Sequence, residues 1–319
     1  MNWMIFQDGL GIRSNFYHSY SKFLKEKFNE EVYKISLATG GTCPNRDGTK
    51  GYGGCIYCSS FGSGKETSKS IKEQVDLFLS NVKKGKKFIA YFQSFSNMYK
   101  NKDWLIEQID MLASYEKIVG ISIATRPDTV DDEILDYLKD KSSRFFIQIE
   151  LGLESSNDIT LQKINRKDES KTFLVSCERI KEKIPESHLV AHVIIGLPDE
   201  NFYDFENTVK FFLLSKSDGI KFHHLYIVRD ALIYNQFENG KVKLLSEMEY
   251  IDIFLELLKI IPPEKIIHRV KSSMIPINLV APLWTMDRFF YEKLFKRAKE
   301  KRIFQGMNYG NNYFNCWQD

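Results

Sequence analysis

The chain has 319 residues, 43% of them hydrophobic and 27% charged, with a formal net charge of +3. Such a composition excludes a largely disordered chain, and the small net charge does not by itself point to a nucleic-acid binder; one large α/β domain with an appendage is expected. No run of about 18 apolar residues and no basic-then-apolar leader occurs, and the five cysteines are an odd number, so a cytoplasmic protein is expected rather than a membrane or disulfide-stapled secreted one.

Residues 1–31 read as an N-terminal extension. Strands are predicted at 32–39 (VYKISLAT), 88–93 (FIAYFQ), 118–125 (IVGISIAT), 145–151 (FFIQIEL), 189–196 (LVAHVIIG) and 220–228 (IKFHHLYIV). Helical patterns fall between them, near 68–83, 102–115, 131–140, 171–184 and 203–216. Short apolar strands alternating with helices predict βαβ units and a parallel sheet. Each strand runs into polar or glycine-bearing residues: a cysteine loop, then QSFSN, TRPD, GLESSND, GLPDE and RDA. In parallel α/β folds that end of the strands binds ligands. Beyond about residue 231 the alternation weakens: a helix at 246–261 stops at Pro262 and Pro263, and KIIHRV suits a further strand. Residues 231–319 are therefore read as an extension packed on the barrel, covering its substrate side. Within it, residues 288–302 carry seven basic residues against Glu292 and Glu300, which suits a solvated helix face or a polyanion-binding one.

The stretch CPNRDGTKGYGGCIYC, residues 43–58, gathers Cys43, Cys55 and Cys58. Thiolates bind soft metals, and C-x-x-C lets two sulfurs converge. Four readings stay open: an iron–sulfur site left open at one iron for want of a fourth thiolate, a zinc site short of its usual fourth ligand, a redox-active Cys55/Cys58 pair, and coincidence. The glycines of this loop permit close backbone approach to a bound group, or simple flexibility. His18 is too distant in sequence to complete the set without folding back. Cys177 shares helical spacing with Phe173, Ile180 and Ile184 and reads as a small core hydrophobe. Cys316 lacks a partner cysteine, and Met274 reads as packing.

With the loop directly after the first strand and Tyr57 inside the C-x-x-C, the chain resembles radical S-adenosylmethionine (SAM) enzymes. Over nearly its whole length it is similar to the YhcC/YtqA group, relatives of the Elongator catalytic subunit. The stretches that carry this are VYKISLATGGTCPNRDGTKGYGGCIYC, YFQSFSNMY, VGISIATRPD, IELGLESSNDITLQKINR, HVIIGLP, DGIKFHHLY, FLELLKIIPPEKIIHR and LVAPLW. The resemblance implies an α/β fold, a partial (β/α)6 TIM-type barrel over 32–230 with its cluster loop at 41–64, and a C-terminal α/β extension over 231–319. It implies that Cys43, Cys55 and Cys58 hold a [4Fe-4S] cluster whose fourth iron takes the amine and carboxylate of SAM. One electron then cleaves SAM to methionine and a 5′-deoxyadenosyl radical, which abstracts hydrogen from substrate.

By the same resemblance Gln93 and Ser94 face the methionyl amine, Glu150 and Glu154 the ribose hydroxyls, and Arg166 of INR the SAM carboxylate. His192 flanks the adenine. Ion pairing or helix-end solvation is the plainer reading of Arg166 and both glutamates, and a satisfied core histidine that of His192. Arg126 of TRPD suits SAM contact or a structural role. Lys221 and His223 stand two apart on one strand face and are candidates for substrate contact or proton transfer, or for a buried structural role.

Some positions depart from the family. Asp168 stands where a histidine is usual and Asp199 where a glycine is. The RLTGD-like stretch is RVKSS at 269–273, and the GT after the sixth strand is Asp230 and Ala231. The first two sit close to the expected SAM site; the changes at 269–273 and at Asp230 and Ala231 bear on the substrate more than on radical initiation. YtqA-type relatives imply a wobble uridine of tRNA as substrate, and a small electron donor such as flavodoxin or ferredoxin as a second partner. The alternatives are a metal-containing RNA-binding or accessory protein without radical chemistry, and a radical SAM enzyme with a different substrate.

Overall fold

A computed structural model describes residues 16–60, 62, 67–82, 86–272 and 278–309. Cys316 and Met274 lie outside the described residues, as does much of the N-terminal extension.

Seven parallel strands form one sheet: β1 (Val32–Leu37), β2 (Lys87–Phe92), β3 (Ile118–Thr125), β4 (Phe146–Glu154), β5 (His188–Ile195), β6 (Gly219–His224) and, at the far edge, β8 (Ile266–Arg269). They are ordered β1-β2-β3-β4-β5-β6-β8, a partial barrel in which sequence neighbours pair. Two further strands, β7 (Ile227–Val228) and β9 (Leu279–Ala281), make a small antiparallel pair. The long strand expected at 220–228 is thus two elements. After His224 the amide of Leu225 still bonds Ile195 O at 2.9 Å, and then the chain leaves the sheet to pair with β9. The KIIHRV segment does join the barrel, as β8.

Ten α-helices accompany the strands in the described residues: α1 (Tyr20–Phe28), α2 (Ile71–Ser80), α3 (Lys102–Leu112), α4 (Asp132–Lys141), α5 (Asp158–Lys163), α6 (Ser170–Lys183), α7 (Phe202–Leu214), α8 (Ile233–Glu238), α9 (Glu247–Leu258) and α10 (Phe290–Lys301). Their starts follow the sequence. Ser70/Glu73, Asn201/Asp204 and Ser246/Glu249 form reciprocal capping boxes, and Asp131 caps α4 through Ile134 N at 3.0 Å.

The two faces of the sheet differ. Outward residues such as Ile35, Leu37, Phe88, Phe92, Ile121, Ile147, Leu189 and Phe222 merge with the helices into the main core. Inward positions alternate with them, and many are polar: Lys34, Ser122, Gln148, Glu150, His192 and Lys221. At the N-terminal pole α1 packs against both edge strands, β1 and β8. There Tyr20 and Leu24 join Val32, Ile89 and Ile266 in a separate apolar cluster that plugs that pole. His18 lies at this end, on Pro263 O at 3.3 Å. At the opposite pole a third cluster packs Ile56 of the cysteine loop against Leu161, Ile164, Ile227 and Ile233.

Candidate active site

The cysteine loop is held from within and from both flanks. Gly54 N bonds Asn45 O at 2.8 Å, Asn165 Nδ2 bonds Gly54 O at 2.8 Å, and Asn45 Nδ2 returns to Asn165 O, closing a ring of hydrogen bonds with the segment after α5. Ile56, between Cys55 and Cys58, donates to Ile164 O at 3.0 Å and accepts from Ile233 N at 2.8 Å. Gly54 has φ +80°, and a Cβ there would meet Arg46 Nε at 2.9 Å. Glycine is therefore required where the Arg46 side chain crosses to the carbonyls of Ser59 and Ser60. Downstream of Cys58, Asp230 accepts from Ser59 Oγ (2.9 Å), Ser60 N (2.8 Å) and Ser60 Oγ (2.6 Å), and also from Asn278 Nδ2 just before β9.

Cys43, Cys55 and Cys58 line one cavity at the C-terminal pole together with Gln93, Arg126, Glu150, Glu154, Arg166, His192, Lys221 and His223. Ser94 is placed apart: it is buried, and its carbonyl accepts from Thr39 Oγ1 at 3.4 Å. Cys177 lies in the main core with its sulfur 3.5 Å from Ser217 Oγ.

The cysteines suit a cluster better than a single ion. Cys55 is held well below the usual thiol range, first by the thiol of Cys58 and then, against burial, by Arg166 and Arg126. A thiolate thus forms readily, with two guanidinium groups to balance its charge. Among the described residues no three Cys, His, Asp or Glu side chains are placed to hold one metal ion. A cluster does not require that convergence, because each of its thiolates bonds a different iron.

Arg166 sits between two left-handed residues, Asn165 (φ 56°) and Lys167 (φ 54°). Its Nη2 donates to Gly152 O at 2.7 Å and lies 3.8 Å from Glu154 Oε1. Burial opposes its charge, but Tyr57, Glu154 and Cys55 outweigh that and keep it firmly protonated. Glu154 owes its direction to a bulge between Gly152 and Glu154, where β4 leaves register with β5, and its own φ is +62°. Such strain concentrates at functional sites. Arg126 is committed to protein partners: its fork grips Asp128 at 2.7 and 2.8 Å, and Nη1 donates to Arg166 O at 3.0 Å.

Glu150 is fully buried and receives five protein donors: Lys34 and Lys221 Nζ, Ser122 Oγ, Gln148 Nε2 and His192 Nε2. Burial disfavours its charge, but Lys221 and Lys34 overcome this and keep the carboxylate ionised. Lys221 also reaches Tyr91 OH at 3.0 Å, and burial pulls its amine down to about 7. His223 meets Ser272 Oγ through Nδ1 at 3.3 Å, while its buried Nε2 has no partner among the described residues.

Lys34 and Tyr91 are cavity or lumen residues that reading the sequence for motifs passes over, whereas Arg269 and Ser272 belong to the RVKSS stretch, where sequence alone gives them no role. The available signal was period two: in β4, Gln148, Glu150 and Glu154 recur on alternate positions within an apolar run, which marks a polar lumen.

Comparison with known proteins is consistent with this geometry. The radical SAM superfamily model matches residues 40–212, and a Radical_SAM C-terminal domain matches residues 217–299. The chain is 33% identical to YtqA of Bacillus subtilis over 280 residues, covering 86% of each chain. It is 32% identical to YhcC of Escherichia coli K12 over 269 residues, covering 83% of this chain and 86% of that one. A tRNA-2-methylthio-N(6)-dimethylallyladenosine synthase from Thermodesulfovibrio yellowstonii is 25% identical over 171 residues, 52% of this chain and 39% of that one. In fold the chain is similar to Methanocaldococcus infernus Elp3 with residues 1–46 deleted, with a TM-score of 0.60 at 14% identity, covering 88% of this chain and 67% of that one.

Proposed function

Because this chain belongs to the radical SAM superfamily of enzymes, we propose that Cys43, Cys55 and Cys58 hold a [4Fe-4S] cluster and that the adjoining cavity binds SAM and the reacting part of the substrate. The observation that carries this is the joint lining of one cavity by all three cysteines with Gln93, Glu154 and Arg166. Held by Cys43, Cys55 and Cys58, a bound cluster would supply the single electron for reductive cleavage of SAM and so the means of abstracting hydrogen from substrate.

The chain's own side chains bind, orient and move protons. Arg166, fixed by Gly152 O and Glu154, presents its guanidinium to the SAM carboxylate. Glu154 takes the ribose hydroxyls and Gln93 the methionyl amine, while Ser94 lies outside the cavity lining. Glu150, filled by protein donors, sets the charge of Lys221 and His192 instead of touching ribose. Lys221, with its amine near neutrality, gives or takes a proton at Nζ. Residues 231–319 serve as the cover of the 32–230 core.

The assigned substrate is a wobble uridine side chain of tRNA, as the YtqA-type resemblance implies; the relative named as a tRNA-2-methylthio-N(6)-dimethylallyladenosine synthase supports tRNA, not uridine, as the substrate class. A flavodoxin- or ferredoxin-like donor supplies the electron. Anaerobic reconstitution with iron and sulfide, then dithionite and SAM, is expected to yield 5′-deoxyadenosine, and yield that survives Cys55→Ala would sink the assignment. Mass spectrometry of tRNA nucleosides from cells with and without the gene tests the substrate: an unchanged wobble uridine removes tRNA from the reading.

A further inference from the structure

Among the described residues every cation around the cavity but one is matched within the protein. Lys34 and Lys221 share Glu150, Arg126 grips Asp128, and Arg166 has Gly152 O and Glu154. Arg269 is the exception. It ends β8, its backbone pairs with Lys221 just after a register shift, and its side chain lines the cavity. It is half-buried, yet it forms no hydrogen bond or ion pair with any described residue. Lining the same cavity, His223 has a buried Nε2 with no partner among the described residues, and Ser272 meets its other nitrogen. An unmatched guanidinium and an unpaired imidazole nitrogen in a sheltered wall are costly unless a ligand supplies partners, and a guanidinium fork fits an oxyacid group.

We propose that Arg269 and His223 are specificity-determining residues that receive an anionic oxyacid group of the substrate, a carboxylate carried close to the atom that loses hydrogen. This rests on the reading of the cavity as the catalytic one. Lys221, next to Arg269 in the sheet, then lies beside the group that Arg269 orients. Three sources offer such an anion: the substrate's reacting side chain, an RNA backbone phosphate and the carboxylate of SAM.

The test uses the full chain, cluster-loaded, with SAM present. Two anticodon stem–loops are compared by fluorescence anisotropy, one with 5-carboxymethylaminomethyluridine and one with 5-aminomethyluridine at the wobble position, so that they differ in the carboxylate-bearing arm. The carboxylate-bearing RNA is expected to bind roughly tenfold tighter. Arg269→Gln should erase that difference while leaving the affinity for the aminomethyl RNA and for SAM unchanged, and Arg269→Lys should restore part of it. Equal weakening of both RNAs assigns Arg269 to backbone phosphate, and weakened SAM binding assigns it to the cofactor; either overturns the proposal.

If neither RNA binds, the tRNA reading fails by itself, and a second measurement decides on Arg269. Thermal melting of the chain with sodium acetate, against sodium chloride at equal ionic strength, should rise for the natural chain and not for Arg269→Gln. Without acetate, Arg269→Gln should melt no lower than the natural chain, because it removes an unmatched charge. Acetate stabilisation that survives the substitution, or a variant that melts lower without acetate, overturns the proposal.

Discussion

Gly152 shows how far single positions govern this site. A Cβ at residue 152 would stand 2.5 Å from Glu154 Oε1 and 2.8 Å from Arg166 Nη2, so even alanine must displace the pair. Gly152→Ala is expected to weaken SAM binding at least about tenfold while leaving iron content intact, measured by equilibrium dialysis and by iron analysis of the reconstituted protein. Residues of this kind divide into those that could be read from sequence and those that could not. Cys43, Cys55, Cys58 and Arg166 announce themselves, since local spacing or a short motif carries their meaning. Lys34 does not: it reads as an ordinary cation in an ordinary strand until the sheet curls and encloses it, and Arg269, though inside the RVKSS stretch, shows its lack of a partner only in the folded barrel.

Among elements, the strands and most helices were legible because alternating apolar runs and capping residues are local signals. The exceptions have tertiary causes. β7 separates from β6 to pair with β9, about fifty residues on, and the short helix α5 has too few turns to show a period. The basic helix α10 is a further case, where composition alone overstates the free charge. Lys293 is bound to Glu247 and Asp287, while Arg297 and Lys301 share Asp252. Lys296, Lys299 and Arg302 have no such partner among the described residues and are exposed. Replacing these three by glutamate should lower RNA affinity and flatten its salt dependence, by about one unit of log–log slope for each phosphate that the natural side chains neutralise, read from binding titrations across salt. Replacing Lys293 or Arg297 should instead lower stability only slightly, read by denaturant melts, as expected of exposed ion pairs.

The whole molecule carries an acid-sensitive interior. Burial holds His188 and His192 down to about 4 and His224 to about 3, against about 6.5 in the unfolded chain. Below pH 6.5 the unfolded chain takes up protons that these folded histidines refuse. Their stabilisation is therefore complete above pH 6.5 and is lost as pH falls towards 4, by at most about 1.4 kcal/mol per pH unit for each histidine. Glu200, pushed up to about 7 by burial, acts with the opposite sign: its folded form keeps a proton that the unfolded carboxyl releases above 4.5, so its contribution fades as pH rises through 7. His223 and His268 are pushed down by burial as well, and Glu154 and Asp168 are pushed up, so five histidines stand against three carboxyls; melting temperature should drop between pH 6.5 and 4, and a flat profile there would contradict neutral burial of the histidines.

One carboxylate ties remote parts of this fold into a single balance. Asp230 grasps Ser59 and Ser60 behind Cys58 with one oxygen and Asn278 at the start of β9 with the other. Reciprocity then applies: if ordering of the loop by iron favours the docked state of Asn278 and β9, docking of β9 must favour iron retention by the same free energy. Limited proteolysis should cut the C-terminal extension more slowly in loaded than in metal-free protein, and Asp230→Ala should shrink that difference. The occupancy of a redox centre would then be legible as a cleavage rate at the other end of the chain.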